Sequence, residues 1–367
     1  MNLGLFLMPV HKPEKPWKQT LREDREAIIH ADRLGLSEVW IGEHFSTKTE
    51  QIPSAMMFLA SLIDATKSIR FGTGVVNLPH HNPILVAAEA AMFDQLCNGR
   101  LMLGIGPGGL VSDAELFAHE DMGERNHIAM ESLDVILRLW QENAPIRIEG
   151  EHWKLSLERH IWPHGGVGEF PRPMQTPHPP IAMAMVSPDG QTIETIAERD
   201  FIPISANFIP IEIVEAQWTA YAAARDRLNK TADPDVWRVC RNILVTETEQ
   251  QARDALGDPD GTLAFYFRYL RGLRRIAEVQ ELGNRASPAE LNEFLGVDEA
   301  IEQCVIAGTS EQVLERLIAL VDRVGPFGNL VMVGHDLDQS NLWQLSTERM
   351  VVDVMPKLSQ HAASVKR

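Results

Sequence analysis

Leu101-Met-Leu-Gly104-Ile-Gly106-Pro-Gly108-Gly109 is an apolar run ending in a glycine cluster, and its reading decides the fold. Gly104, Gly106 and Gly109 satisfy the spacing G-x-G-x-x-G. In a dinucleotide-binding sheet those glycines open a helix in the first βα unit, with an acidic residue ~20 positions further on. Here the motif follows the fourth apolar run of the chain. The next residues, Leu110-Val-Ser-Asp113-Ala-Glu-Leu-Phe117, lead to an irregular His119-Glu-Asp-Met-Gly-Glu124 segment. A Rossmann turn, a plain tight βα turn and a loop whose backbone amides approach a cofactor all remain open, and the last fits best.

Similar short apolar runs cover residues 3–8, 39–41, 69–77, 181–186, 201–205, 239–246 and 329–333, which with 101–105 makes eight. Helical spacing lies between most of them. Ala27, Ile28, Ala31 and Leu34 share one face, as do Leu133, Ile136, Leu137 and Trp140, and Val313, Leu314, Leu317, Ile318 and Val321. Strand–helix alternation implies parallel strands with right-handed crossovers. Eight repeats predict an α/β fold of the closed (β/α)8 TIM-barrel type, with a doubly wound open sheet as the alternative. A plain barrel needs ~250 residues, and this chain has 367. Two stretches outside the repeat, 143–180 and 247–296, hold most of the excess, the second with one helical pattern (Tyr266, Tyr269, Leu270, Leu273, Ile276, Ala277). The expectation is a single barrel domain over 1–367 with these two insertions on its active-site face.

Composition narrows the function. Lys and Arg number 34 against 51 Asp and Glu, a formal net charge of −17. That argues against gripping nucleic acid or docking on an anionic membrane. No apolar run approaches the ~18 residues of a spanning helix. Residues 3–8 read as a buried first strand rather than a signal segment, because no basic leader precedes them. Cys97, Cys240 and Cys304 are scattered and form no C-x-x-C pair, which points to a reducing, cytoplasmic compartment.

Four segments carry candidate chemistry. Val39-Trp40-Ile41-Gly42-Glu43-His44-Phe45 puts Glu43 and His44 just past a strand end, where barrel catalytic residues sit. His44 is suited to moving protons near neutral pH, or it is a structural loop histidine. Phe71-Gly-Thr-Gly74-Val75-Val-Asn77-Leu-Pro79 places two glycines inside a strand, a sign of a bulge or a close ligand, and Asn77 adds a donor and an acceptor. The glycine cluster is the third. Val186-Ser187-Pro188-Asp189-Gly190 is the fourth, with Ser187 expected to cap the following helix and Pro188 to fit its first turn. His152, His160, His164 and His178 lack ligand spacing, so no metal is expected. Arg268-Tyr-Leu-Arg271-Gly-Leu-Arg-Arg275 reads as a solvated helix face or an anion contact.

Taken in order, Leu3-Gly-Leu-Phe-Leu7, Glu43-His44-Phe45, Gly72-Thr-Gly-Val-Val-Asn-Leu-Pro79, Asp94-Gln-Leu-Cys-Asn-Gly-Arg100, Gly104–Gly109, Ser187 and Val331-Met-Val-Gly-His-Asp336 resemble the bacterial luciferase family of flavin-dependent monooxygenases. The segment Glu198-Arg-Asp-Phe-Ile-Pro-Ile-Ser205, Arg268-Tyr-Leu270 and His335-Asp336 look most like its limonene and diketocamphane monooxygenase branch. The resemblance covers nearly the whole chain and fades in both insertions.

The resemblance implies a TIM barrel binding FMN as FMNH2, supplied by a separate NAD(P)H:flavin reductase. It further implies O2 addition to a flavin peroxide that oxygenates a small hydrophobic terpenoid, ketone or aldehyde. His44 matches the active-site histidine, with Glu43 beside it, and Gly74–Val75 matches an often cis peptide behind the isoalloxazine. Gly106, Gly108, Gly109 and Leu110 match the flavin loop, Asp113 an acidic residue beyond it, and Ser187 a phosphate ligand; Asn77 joins this cofactor set. Met8, His335 and Asp336, at the ends of the first and eighth runs, are the expected substrate contacts. Luciferases carry Cys-Arg where this chain has Gly106-Pro107, so one phosphate partner is missing, with Arg268 or Arg271 as candidate replacements. An F420-dependent dehydrogenase and a non-catalytic flavin-binding protein are the alternatives. A homodimer is expected from the apolar segment 53–67.

Overall fold

The computed structural model describes residues 1–8, 10–283, 285–336 and 341–365. Eight parallel strands close on themselves: β1 (Asn2–Leu7), β2 (Glu38–Ile41), β3 (Arg70–Thr73), β4 (Leu101–Gly106), β5 (Ile181–Met185), β6 (Ile202–Ser205), β7 (Arg238–Thr246) and β8 (Asn329–Gly334). Each pairs with its neighbours in chain order. β7 pairs with β6 (Arg238 opposite Ile204) and β8 with β1 (Asn329 opposite Asn2), which completes the ring. All eight expected runs lie on these strands, so the chain is the expected TIM barrel.

The ring closes because each helix face buries apolar side chains on the strands. Ile28 and Ala31 of helix Trp17–Leu34 are buried, as are Leu133, Ile136 and Trp140 of Met122–Gln141 and Val313, Leu317 and Val321 of Ser310–Val324. Each such Leu, Ile or Val contributes about 1.5–3 kcal/mol by leaving water. Inside the ring, Trp40, Met102, Ala182, Ile202, Ile204, Cys240 and Val331 pack together, with Phe6 against them. Below this layer Glu38 meets Arg238 at 3.1 Å and accepts a hydrogen bond from Trp40 Nε1 at 2.9 Å. Period-2 alternation puts these residues on one face of each strand.

Local structure adds detail that the apolar pattern does not carry. The run 69–77 is not one strand. It stops at Thr73, passes a cis Gly74–Val75 peptide, and resumes as Val76–Asn77 opposite Ile105 and Gly106. The second insertion holds four helices rather than one pattern: Glu249–Gly257, Thr262–Gly272, Ile276–Gly283 and Pro288–Leu295. Gly272 ends the second of these, which splits the apolar pattern between two elements, and a Ser287–Glu290 capping box starts the last. A further parallel strand, Val305–Thr309, pairs with the second half of β7 outside the ring. The first insertion folds back as an antiparallel hairpin, Ile146–Glu149 with Lys154–Leu157.

Candidate active site

The carboxyl ends of the strands form an open mouth whose floor is glycine and alanine. A Cβ at Gly72 would lie 2.2 Å from the Trp40 ring, and one at Gly104 would lie 1.9 Å from the Thr73 carbonyl oxygen. One step higher, a Cβ on Gly74 would meet Phe6 at 2.8 Å and one on Gly106 would meet Val75 at 2.9 Å. Only glycine fits this layer, so the backbones of β3 and β4 approach closely and leave a smooth wall. On the adjacent strand Ala184 and Val186 share the interior parity of Ala182 yet are exposed, Val186 by 55%. Interior-facing apolar residues that reach solvent mark a concave site open at the strand ends.

His44 stands on the rim of this mouth. Its Nδ1 lies 3.1 Å from Asp113 Oδ2 and its Nε2 lies 3.5 Å from Glu50 Oε2. Asp113, buried, also accepts from the backbone N–H groups of Phe45 and Ser46 and from the Ser46 hydroxyl. Burial opposes the charged imidazole, but the Glu50 and Asp113 carboxylates outweigh it and push the His44 pKa up. The site thus favours the imidazolium form of His44, and Asp113 is held below the ordinary carboxylate range despite its burial.

Glu43 is buried and faces the other way. It pairs with His81 Nε2 at 2.7 Å and accepts from Asn77 N–H, while its backbone oxygen accepts from Asn77 Nδ2 at 2.9 Å. It fixes Asn77 and the turn after it rather than reaching the mouth. Gly108, with φ of +81°, passes over Asn77 and His80. His80 stacks on Phe117 at 4.5 Å; its two ring nitrogens are buried without a hydrogen-bond partner, and burial pushes its pKa down to about 4. Leu110 is buried and Gly109 exposed.

The eighth strand separates its two candidates. His335 points inward, donates from Nε2 to Asn242 Oδ1 at 3.1 Å and lies edge-on to Tyr266. Burial pushes its pKa down to about 3, so it is a neutral donor. Asn207 Nδ2 joins the same group, donating to Asn242 and to Tyr266, whose hydroxyl lies 3.4 Å from Met8 Sδ. Asp336 points outward instead, 2.6 Å from both His11 and Lys15. Burial of His11 is outweighed by Asp24 and Asp336, and its pKa is pushed up to about 9.

Ser187 does not cap the next helix. That helix, Gln191–Arg199, starts after Gly190, and the Ser187 hydroxyl accepts from Asp189 N–H within the turn. Pro188 lies in that turn and not in the helix. Arg268 holds the carbonyls of Pro259 and Pro288, and Arg271 that of Leu295, so both are engaged inside the second insertion. Sequence reasoning missed Glu50, Asn207 and Asn242, which carry no local periodic signal. It placed Tyr266 and Tyr269 only in an apolar helix pattern.

A parallel (β/α)8 barrel with a glycine-walled mouth and a carboxylate-flanked histidine just past its second strand has the architecture of a barrel enzyme with its site at the strand ends. Comparison with known proteins specifies the class. Residues 1–325 match the family model of luciferase-like monooxygenases, and the chain belongs to that family. It is a flavin-dependent monooxygenase. Limonene 1,2-monooxygenase of Rhodococcus erythropolis is 28% identical over 334 residues, covering 91% of this chain and 80% of that protein. The oxygenase component of the flavin-dependent trigonelline monooxygenase of Acinetobacter baylyi is 25% identical, covering 98% and 96%. Among solved structures, the oxygenating constituent of 3,6-diketocamphane monooxygenase of Pseudomonas putida, a type II Baeyer-Villiger enzyme in complex with FMN, superposes with a TM-score of 0.82. It is 25% identical and covers 97% of this chain and 98% of that one. Among the described residues no helix is long and apolar enough to cross a membrane.

Proposed function

We propose that the chain is the oxygenase of a two-component system, using FMNH2 from a separate NAD(P)H:flavin reductase and O2 to oxygenate a small hydrophobic terpenoid, ketone or aldehyde. The carrying observation is His44, set between the Asp113 and Glu50 carboxylates beside a mouth that only glycine backbone can wall. The residues present fit an FMN ring. Gly74, Val75 and Gly106 would offer it a flat backbone surface, and Gly108, Gly109, Leu110, Asn77 and Ser187 are the remaining residues we assign to the cofactor, Asn77 and Leu110 from buried positions. FMN would supply the oxygen activation when bound and reduced. The chain's part is to orient it, to keep water from it, and to lend the His44 proton to negative charge developing on oxygen.

Phe6, Met8, Ala184 and Val186 make the wall apolar, which favours a substrate with few polar groups. Neutral His335, whose single N–H is given to Asn242, is buried beside Tyr266 on the strand-eight side and orders that wall. The relative whose name calls it an oxygenase component supports a separate reductase. We read the whole chain as one barrel domain with insertions at about 143–180 and 247–296. Its three cysteines are free and buried, in keeping with a reducing cytoplasm. A homodimer is supported by Met57, Leu85, Met92 and Leu96, exposed by 76%, 60%, 59% and 58% on helices Ala55–Ala60 and Pro83–Leu96.

The test is a titration of the full chain with FMNH2 under anaerobic conditions, followed by O2 and a panel of cyclic terpenes, ketones and aldehydes. Oxygenated product that requires FMNH2 and disappears in His44→Ala supports the reading. Preferential binding of F420 without O2 consumption, or flavin binding with no product from any member of the panel, overturns it.

A further inference from the structure

Helix Thr262–Gly272 of the second insertion crosses the mouth and carries two tyrosines on one face, three residues apart. Tyr266 touches Met8, Asn207 and His335 on the strand-eight side. Tyr269 reaches the other side, donating to Glu50 Oε2 at 2.8 Å with Thr47 Oγ1 at 3.3 Å. That same Glu50 oxygen is the one 3.5 Å from His44 Nε2. Glu50 is 1% exposed, and its second oxygen is buried without a hydrogen-bond partner.

We propose that Glu50 and Tyr269 are positioning residues for His44: Glu50 holds the imidazole charged from the Nε2 side, and Tyr269 ties that charge to the seating of the second insertion. This rests on the assignment of His44 to the active site. Leaving a carboxylate oxygen buried and unpaired opposes folding. A glutamine would serve packing and the tyrosine bond equally well, so the carboxylate is kept for its charge. At 3.5 Å the contact to His44 is too long for a strong hydrogen bond but short for a Coulombic pair in a covered site.

The other groups facing His44 do not replace this contact. Asp113 occupies Nδ1, and Glu43 lies behind and is bonded to His81. Lys15 and Lys48 line the cavity of about 430 Å³ beside the His44 ring and would favour its neutral form. Glu50 is therefore the anion on the Nε2 side. The raised pKa of His44 agrees with this: burial opposes the charged form, and Glu50 and Asp113 both favour it.

The experiment is an NMR titration of the His44 ring in the full chain, assigned by loss of its signal in His44→Asn. It compares wild type with Glu50→Gln and Tyr269→Phe. Glu50→Gln should lower the midpoint by about one pH unit, a tenfold loss of proton affinity. Tyr269→Phe should lower it by less, because Glu50 keeps its charge but loses the donor that holds Oε2 beside Nε2. The alkaline limb of the turnover profile should move with the midpoints. Unchanged midpoints in both variants overturn the proposal, and a shift confined to Glu50→Gln removes Tyr269 from it. If Glu50→Gln does not fold, Tyr269→Phe and the charge-conserving Glu50→Asp decide: the first must shift the midpoint and the second must retain it. The titration needs no turnover, so a wild type that makes no product sinks the monooxygenase reading without touching this result.

Discussion

His44 is set by its neighbours more than by its own chemistry. Asp113 gathers three backbone or hydroxyl donors from the Phe45–Ser46 turn and presents its remaining capacity to Nδ1. Because the folded pKa of His44 lies above its unfolded value, this charge stabilises the fold fully below about pH 6.5. The stabilisation is lost as pH rises through the folded value. Asp113 has the opposite shift, so its contribution is present above about pH 4 and lost in acid. Asp113→Asn should cost about 1.5–3 kcal/mol between about pH 4 and 6.5, with the deficit shrinking as pH rises through the folded value of His44. Urea unfolding at several pH values checks it; a deficit independent of pH would show that Asp113 acts through the turn alone. The same reasoning places His335 and His80 apart from His44. Both are kept neutral by burial and neither gives up a proton at working pH.

At the scale of elements, β2 and β7 meet across the barrel floor through Glu38 and Arg238. They are not adjacent strands, so the pair ties opposite sides of the ring below Trp40. A buried pair is poor evidence of net stability, but removing one partner strands a charge. Glu38→Ala should therefore cost about 3–5 kcal/mol in denaturant unfolding, while Glu38→Ala with Arg238→Leu should recover much of that loss. A double variant as unstable as the single one would mean the pair matters for shape rather than charge. The glycines of β3 and β4 act at this scale too, because they bring two strand backbones close enough to form the wall. Helix Thr262–Gly272 is the one element that contacts both histidine sites among the described residues.

For the whole molecule, the net charge of −17 is unfavourable for an anionic cofactor at long range, so the phosphate must find local donors. Helices Ala55–Ala60 and Pro83–Leu96 carry exposed apolar side chains on the outside of the barrel. Leu85→Asp with Leu96→Asp should convert a dimer into a monomer of 41.1 kDa, read by sedimentation velocity, with the fold intact by circular dichroism. A wild type that sediments as a monomer would end the dimer reading. What the sequence determined by itself was the ring. Eight apolar runs with helical faces between them allow few other packings, and GEHF at the end of the second run places His44 on the rim. The glycine motifs also pointed to close backbone approach before any contact was known. What only the tertiary structure decided was which charges meet. Glu50 and Tyr269 lie more than two hundred residues apart and have no shared local pattern, and adjacent His335 and Asp336 look equivalent until the fold sets one on Asn242 and Tyr266 and the other on His11 and Lys15. Periodicity reports which face of an element is buried, a local property. Partnership between side chains depends on where closure of the ring and docking of the insertion bring distant segments together, and no single element encodes that.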